Sequence, residues 1–234
     1  MSFNPGRFVR FFAKNRQIGW LRPELAARLS AWPDVFNSSA EKVVLLRHED
    51  LDPVVRQLAQ EGFIPGWRNE RYRIEDLFEI ERAAALPFGL PTHAVHVNGI
   101  AADGRHMWLA RRAADKPTDP GLLDNLVGGG IAAGLSVEQT LVKEAWEEAG
   151  IPAEIARTAR RGGTAQVLRE VPQGVSCETV HIFDLVLPDG FTPRNQDGEV
   201  SEMRLLTFPQ VLDCKELTPE AELAAKDYFR RAGL

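Results

Sequence analysis

Glu144, Glu147 and Glu148 are the most chemically suggestive residues of the sequence, because three carboxylates lie within five positions. On an α-helix each residue advances by about 100°, so these three carboxylates share one side. The adjoining side of the same helix is apolar at Val137, Leu141, Ala145 and Ala149. Glu148 lies at the seam between the two sides, so we expect its carboxylate to be partly removed from water.

Three carboxylates this close together are unfavourable unless something neutralises their charge. Like charges at helical neighbour spacing repel by about 0.2–0.5 kcal/mol per pair, and partial burial raises that cost. A divalent cation bound among the glutamates would remove the repulsion, and oxygen ligands without a nearby His or Cys suit Mg²⁺ or Mn²⁺ rather than Zn²⁺. A glutamate-rich face is also typical of an ordinary solvated helix, so the spacing alone leaves both interpretations open.

The glycines before this segment point to the same chemistry. Gly128, Gly129 and Gly130 carry no Cβ, so their backbone groups can approach a metal ion or a pyrophosphate closely. The following helix has a start signal at Ser136 and a stop signal at Gly150. A glycine loop followed by an acidic helix can hold a cation against phosphates, as an enzyme of phosphoryl or pyrophosphoryl transfer requires.

The stretch from Gly129 to Ile151 resembles the Nudix box, a signature that ends in Arg-Glu-aliphatic-x-Glu-Glu-x-Gly-aliphatic. Three positions depart from it: Leu135 stands where the family has a glutamate, Lys143 replaces arginine, and Ala145 replaces a larger aliphatic residue. In the family that glutamate and arginine commonly form a structural ion pair. The joint change therefore concerns the rigidity of the loop more than the metal ligands.

Motifs outside the box are similar to one Nudix branch, which resembles the Nudix portion of fungal thiamine pyrophosphokinases. The likeness covers roughly residues 17–232. These motifs lie at Gly66–Glu70, Glu81–Ala83, His96–Gly99, Lys116–Asn125 and Pro193–Val200.

The family resemblance implies Mg²⁺-dependent (or Mn²⁺-dependent) hydrolysis of a diphosphate linked to another moiety, with water attacking phosphorus. It assigns the metal to Glu144, Glu147, Glu148 and the carbonyl of Gly128. The general base of such enzymes often comes from a loop outside the box, and Glu199 occupies a similar place here. Glu147 is a second group that could orient the water, and Glu178 and Glu202 are weaker alternatives for the base.

A diphosphate also needs cationic donors besides its metal. Arg112, Lys116 and Arg194 are near the predicted site in sequence, and Arg68 could frame the ring of a substrate. Taken singly, each of these residues is as easily explained as an ordinary surface charge.

The branch resemblance suggests thiamine diphosphate, or its oxidised and otherwise damaged forms, as the substrate, cut to the monophosphate. One alternative is a damaged-nucleotide hydrolase that acts on an oxidised guanosine diphosphate. Another is a catalytically idle Nudix module that binds a nucleotide or coenzyme. The presence of all three glutamates argues against the idle module, since such modules have usually lost one.

Composition excludes several other classes. The chain has 234 residues, 44% hydrophobic, with a formal charge of −5. An acidic protein does not suit binding to a nucleic-acid polymer, and no segment is apolar enough for a membrane span. Two distant cysteines fit neither a zinc ribbon nor a disulfide framework and favour the reducing cytoplasm. A homodimer is a family-level expectation only.

The pattern of elements predicts two domains, residues 1–90 and residues 91–234. We expect the second to be a Nudix α/β/α sandwich with a mixed sheet, preceded by a smaller N-terminal α/β unit. Its strands are predicted at 93–100, 106–112, 163–171, 179–187 and 203–208, with a last helix from Thr218 to Arg231.

The first 60 residues are harder to interpret. Residues 1–22 carry basic residues and phenylalanines but no acid. They predict an arm docked by its phenylalanines onto an acidic body, or else a targeting or membrane-surface helix. Residues 23–60 predict mostly helix, interrupted by a short strand at Lys42–Arg47.

Overall fold

The computed structural model describes residues 3–234, which form two compact units. The N-terminal unit comprises the residues up to Thr92 together with 132–134 and 168–178. The C-terminal unit comprises residues 93–131, 135–167 and 179–234. The N-terminal unit therefore also takes in two short segments from later in the chain.

The N-terminal unit is built from short strands and two helices. Its elements are β1 (Val9–Ala13), β2 (Arg16–Leu21), α1 (Pro23–Leu29), β3 (Phe36–Ser38), β4 (Lys42–Leu45), α2 (Leu51–Gln60), β5 (Arg71–Ile74) and β6 (Phe78–Glu81). Four strands form a mixed sheet in the order β2-β1-β4-β3, in which β1 and β4 run parallel, and β5 and β6 form a separate hairpin.

The predicted N-terminal arm was wrong, because this segment forms a hairpin of the sheet. Residues of β1 alternate between the two faces, and Phe11 is completely buried against Phe36 and Phe88. The turn between β1 and β2 places Lys14 and Asn15 at positive φ, 47° and 65°, as tight hairpin turns require. A period of two, rather than a helical period, explains the phenylalanines.

The prediction for residues 23–60 was partly wrong. Helices α1 and α2 are present, and the predicted strand is confirmed as β4. The additional strand β3 pairs with β4 through Phe36 opposite Leu45. A three-residue strand is too short for its alternation to be distinguished from a helix end in the sequence.

The C-terminal unit has a sheet flanked by helices. Its elements are β7 (Pro91–Ile100), β8 (His106–Arg112), β9 (Leu123–Asn125), β10 (Val127–Gly130), α3 (Val137–Ala149), α4 (Ala153–Ala156), β11 (Arg160–Val171), β12 (Gly174–Val186), β13 (Val200–Thr207), α5 (Phe208–Asp213) and α6 (Pro219–Ala232). The strand order is β11-β12-β7-β8-β13, with β10 added to β7 and β9 added to β8.

The helices α3 and α6 cover opposite faces of this sheet. Leu141 and Ala145 of α3 share a core with Val95 and Val97, whereas Ala225 and Phe229 of α6 pack with Ile100 and neighbouring residues. Odd and even positions of β7 point to opposite faces, so the two cores lie on the two sides. The expected α/β/α sandwich is confirmed, as are the predicted strands, with ends shifted by a few residues.

Within residues 3–234, a search for a helix with the length and apolarity of a bilayer-crossing segment finds none.

Candidate active site

The acidic helix begins and ends where the sequence predicts. Ser136 accepts a hydrogen bond from the backbone N–H of Gln139 at 3.1 Å, and Gln139 accepts one from the backbone N–H of Ser136 at 2.8 Å, which closes a capping box. Gly150 ends α3 in the left-handed conformation at φ 63°. These caps fix the ends of α3, and the packing of Leu141 and Ala145 in the core sets which side of the helix carries the glutamates.

Glu148 is buried, with 7% of its surface exposed. Its carboxylate accepts a 2.7 Å hydrogen bond from the backbone N–H of Gly128 in the glycine loop. Burial raises the pKa of Glu148 to about 8, and the negative charges of Asp124 and Glu144 add to the rise, although the hydrogen bond from Gly128 opposes it. In the absence of a cation this carboxyl group is thus held in a surrounding that disfavours its ionised form.

Glu144 fills the space beside Gly129. A Cβ atom on residue 129 would lie 2.4 Å from both Cγ and Cδ of Glu144, closer than real contacts allow. The side chain of Glu144 is 14% exposed. Glycine is therefore required at 129 because the glutamate takes the place that a side chain would need.

Lys143 pairs with two glutamates of α3, Glu147 and Glu144. Its Nζ lies 2.6 Å from Glu147 and 2.9 Å from Glu144. Partial burial alone would lower the pKa of Lys143, but the hydrogen bonds to Glu147 and Glu144 outweigh it and raise the pKa above its ordinary value. Lys143 stands at the arginine position of the box, and here it neutralises the acidic face.

The oxygen atoms of these glutamates and of the glycine loop are ligands that a hard cation prefers, but they do not enclose a metal ion as they stand. Among residues 3–234, no three acidic, His or Cys side chains converge closely enough to enclose a metal ion as they stand. Glu144 and Glu148 lie against the glycine loop, and the carbonyl of Gly128 belongs to that loop, so oxygen ligands are in place on two sides. Glu147 is held by Lys143 instead.

A concavity in the C-terminal unit is lined both by Glu148 and by Glu199, the predicted general base. Two side chains predicted to bind phosphate, Arg112 and Lys116, also line it. Its enclosed space is small, about 10 Å³ for the centre of a water molecule, and the rest of the concavity is open to solvent. The lining consists of Ala110, Arg112, Lys116, Asp124, Asn125, Glu148, Glu199 and Val200. Lys116 and Glu199 form a direct ion pair across it, in which Lys116 is the more buried partner.

Arg112 and Asp124 form a second ion pair in the concavity, at 2.8 Å. Arg112 also donates to the carbonyl of Thr118, so its guanidinium is engaged by the protein on two sides. Burial would raise the pKa of Asp124, but His96 and Arg112 outweigh it and hold that pKa well below its usual range. Asp124 is therefore ionised beside the buried Glu148.

The remaining predicted residues lie in different places. Arg194 is exposed next to the end of α3, where its backbone N–H donates to the carbonyl of Ala149 at 2.9 Å. Arg68 belongs to the N-terminal unit, where its backbone N–H donates to Glu81 at 2.9 Å. Glu202, a weaker alternative for the base, pairs with Arg111.

Sequence reasoning missed Asp124, Asn125 and His96. All three are buried, and Nδ1 of His96 lies 2.9 Å from Oδ1 of Asn125 and 3.4 Å from Oδ1 of Asp124. The available signal was the polar pair 124–125 inside an apolar run, between Leu123 and Leu126. A buried polar pair in a strand is uncommon and indicates a network.

Two family models match the chain. Residues 92–230 match the family model described as the NUDIX domain, and residues 1–92 match one described as a domain of unknown function (DUF4743). The MutT protein of Methanosarcina mazei Go1 aligns in structure over 62% of this chain and 96% of its own, with 20% identity and a TM-score of 0.49.

Two curated relatives come from Arabidopsis thaliana. Nudix hydrolase 24, chloroplastic, is 34% identical over 251 residues, which covers 98% of this chain and 69% of that protein. Nudix hydrolase 20, chloroplastic, is 34% identical over 231 residues, which covers 88% of this chain and 62% of that protein, so the chain spans less than two thirds of this second relative. The chain therefore belongs to the Nudix family and is a Nudix hydrolase, an enzyme that acts on phosphoric anhydride bonds.

Proposed function

We propose that the protein is a Mg²⁺-dependent (or Mn²⁺-dependent) pyrophosphohydrolase that cleaves a diphosphate linked to another moiety. The observation that carries this proposal is the buried Glu148, placed beside Glu144 against the glycine loop. A carboxyl group whose ionised form is disfavoured by burial and by two acidic neighbours is suited to a ligand of +2 charge.

Glu144, Glu148 and the carbonyl of Gly128 would hold the cation in this proposal. When bound, the cation would neutralise phosphate charge and polarise the bond that breaks. Glu147 joins the site when its ion pair with Lys143 opens, and it then serves as a ligand or orients the attacking water. Gly129 keeps Glu144 against the loop, because only glycine leaves room for that side chain.

Glu199 is the proposed general base. Lys116 engages it across the concavity, so a phosphate oxygen that attracts the Lys116 ammonium would release the Glu199 carboxylate. Glu199 then accepts a proton from water as the water oxygen bonds to phosphorus and the anhydride bond to the leaving phosphate breaks. Binding of the substrate and freeing of the base are thus coupled through one ion pair.

The cationic groups have unequal roles in this proposal. Lys116 is the principal phosphate donor, since its partner Glu199 is the more exposed member of the pair and can move. The guanidinium of Arg112 is bound to Asp124 and to the carbonyl of Thr118. It therefore contributes positive potential to the site and does not offer a free pair of N–H donors to the phosphate. Arg194 reaches the substrate from the loop beside Gly150, and the role of Arg68 in framing a substrate ring stays a prediction from the sequence.

For the substrate we propose thiamine diphosphate, or its damaged forms, cut to the monophosphate. Support comes from the motifs at Gly66–Glu70, His96–Gly99 and Lys116–Asn125, which are similar to the Nudix portion of fungal thiamine pyrophosphokinases. We also propose a homodimer located in the cytoplasm. Cys177 and Cys214 are both free thiols, which supports a reducing compartment.

A substrate screen tests this function. Purified protein is incubated with thiamine diphosphate, oxidised thiamine diphosphate, oxidised guanosine diphosphate and dinucleotides, with and without Mg²⁺, and monophosphate release is measured. We expect Mg²⁺-dependent release, fastest for the thiamine compounds. Faster turnover of oxidised guanosine diphosphate would reassign the substrate, and binding without turnover of any compound would indicate an idle module.

A further inference from the structure

The ring of His96 lies directly beneath Gly128. The antiparallel pairing of β10 with β7 puts Gly128 opposite His96. A Cβ atom on residue 128 would lie 3.1 Å from Cε1 of the ring, with Nδ1 and Nε2 at 3.4 and 3.5 Å. The imidazole therefore covers the face of Gly128, in the space that a side chain at position 128 would need.

Hydrogen bonds hold this ring in one orientation. The amide nitrogen of Asn98 donates to Asp184 and to the carbonyl of Ala224, both at 3.0 Å, so the amide oxygen of Asn98 faces the other way. That oxygen accepts from the amide nitrogen of Asn125 at 2.9 Å. The oxygen of Asn125 is thereby turned toward His96, whose Nδ1 must carry the proton that it donates.

The other end of this series of hydrogen bonds is anchored on helix α6. Asp184, which accepts from Asn98, pairs with Arg231 at 2.6 Å. Arg231 also pairs with Asp227 at 2.7 Å on the same helix. The orientation of the His96 ring is thus determined from helix α6 through an unbroken series of polar contacts.

Burying this series is unfavourable unless each member is hydrogen-bonded, and apolar side chains would fill the same volume at lower cost. His96 and Asn98 are 5% and 0% exposed, and they share one face of β7 with the apolar Ile100. What the polar series provides beyond packing is a fixed ring beneath Gly128. The N–H of Gly128 binds Glu148, so the height of that glycine sets where the Glu148 carboxylate lies.

We propose that His96 is a positioning residue, which sets Gly128 against Glu148 and is itself oriented by Asn125, Asn98 and Asp184. The proposal rests on the proposed metal site, since its effect is exerted on two of the residues assigned to the cation. His96 does not touch the substrate in this account. It acts through the backbone of Gly128, and the hydrogen bond of its Nδ1 keeps the ring from rotating.

A double-mutant cycle tests the proposal. Mn²⁺ alone is titrated into the parent, His96→Ala, Gly128→Ala and the double variant, and free Mn²⁺ is read by electron paramagnetic resonance. We expect Gly128→Ala to weaken Mn²⁺ binding by about tenfold or more, because its Cβ meets the ring, and His96→Ala to weaken it severalfold. In the His96→Ala background the added cost of Gly128→Ala should fall below about threefold, because the space is then vacant.

Two further variants separate positioning from packing. His96→Asn keeps a donor near Nδ1 and should recover part of the affinity lost in His96→Ala. His93→Ala removes the other histidine of β7, whose ring points to the opposite face and contacts His181, and it should leave Mn²⁺ binding unchanged. Thermal unfolding of the four metal-free proteins of the cycle should show the same non-additivity.

The outcomes are distinguishable. Equal costs of Gly128→Ala in the two backgrounds, on a parent that binds Mn²⁺, would overturn the role of His96 and leave the metal site standing. A parent that binds no Mn²⁺ would overturn the proposed metal site and this proposal with it. A His93→Ala variant that weakens binding as much as His96→Ala would also overturn the proposal, since the effect would not depend on the contact with Gly128.

Discussion

Each unit of the molecule buries a glutamate that accepts hydrogen bonds from backbone N–H groups, Glu81 in one and Glu148 in the other, and these two glutamates differ in what surrounds them. Glu81, 4% exposed in the N-terminal unit, accepts from two backbone N–H groups, those of Arg68 and Ala83. Glu148, 7% exposed in the C-terminal unit, accepts from the single N–H of Gly128 and has two acidic neighbours.

Under the proposed function, this difference separates a structural carboxylate, Glu81, from a metal ligand, Glu148. Two backbone donors satisfy Glu81, which caps the short 3₁₀ turn at Arg82–Ala84. Glu148 is buried with one backbone donor, and burial together with the charges of Asp124 and Glu144 raises its pKa more than Gly128 and Lys116 lower it. Equal burial therefore says little about function, whereas the balance of donors and like charges says much more.

Buried polar side chains as a whole follow the same division. The N-terminal unit buries only Glu81 and Ser176 among the polar side chains that the structure describes as buried. The C-terminal unit buries His96, Asn98, Asp124, Asn125, Thr140, Glu148, Thr218 and Glu220. Polar burial of this extent is costly, which is consistent with the chemistry residing in the C-terminal unit.

The largest expected effect comes from exchanging the two glutamates for glutamine. Glu148→Gln should reduce metal-dependent turnover by about a hundredfold or more, because it removes a charged oxygen ligand. Glu81→Gln is the matched control and should leave kcat and KM unchanged. Steady-state kinetics on the best substrate check both, and equal losses in the two variants would erase the distinction between them.

Asp124→Asn should lower the stability of the protein. It leaves the partly buried Arg112 guanidinium, whose side chain is 19% exposed, without its anionic partner, and breaking a mostly buried pair in this way costs up to about 3–5 kcal/mol in the free energy of unfolding. Glu216→Gln removes the 59%-exposed partner of Arg111 and should cost less than about 1 kcal/mol. Urea unfolding measures both, and similar losses would mean that burial of the Arg112 pair has no special weight.

Glu199→Gln should lower the rate by about a hundredfold and remove the acidic limb of the pH–rate profile, since the base is lost. Glu202→Gln is the comparison variant: Glu202 lies on β13, three residues after Glu199, and is paired with Arg111 and Arg204. We expect its profile to match that of the parent. A loss in Glu202→Gln with a normal rate in Glu199→Gln would transfer the role of base to Glu202.

The last prediction concerns the pH dependence of the stability of the metal-free protein. The pKa of Glu148 is about 8 in the folded state against an ordinary 4.5, so folded protein holds a proton that unfolded protein releases. Its contribution is fully favourable below pH 4.5 and is lost as pH rises to about 8. Thermal melts should show this loss of stability with rising pH in the parent and not in Glu148→Gln. A difference in melting temperature between the two proteins that does not change with pH would contradict the raised pKa.

Much of the site-bearing segment could be predicted, because its signals are local. Ser136, Gly150 and the four-residue apolar repeat define α3 by themselves, and the position of Glu148 at the seam of that helix follows from 100° per residue. Placement of the ligands on one loop and one helix is likewise a matter of nearby residues.

What could not be predicted depends on long-range pairing. The partnership of Lys116 with Glu199 joins residues 83 apart, and that of Asn98 with Ala224 joins residues 126 apart. Likewise, Phe11 is buried because β1 pairs with β4, which no local pattern of the first 22 residues reveals. A histidine or arginine in a sequence carries no sign of which partner the sheet will bring to it.

The most direct test of the metal site is a calorimetric titration of Mn²⁺ into the parent, Glu148→Gln and Glu81→Gln without substrate. We predict that the parent binds Mn²⁺ and that Glu148→Gln binds it at least about tenfold more weakly. Glu81→Gln should bind Mn²⁺ with the affinity of the parent. Equal Mn²⁺ affinity of Glu148→Gln and the parent would show that the cation does not use Glu148, and would contradict the central claim.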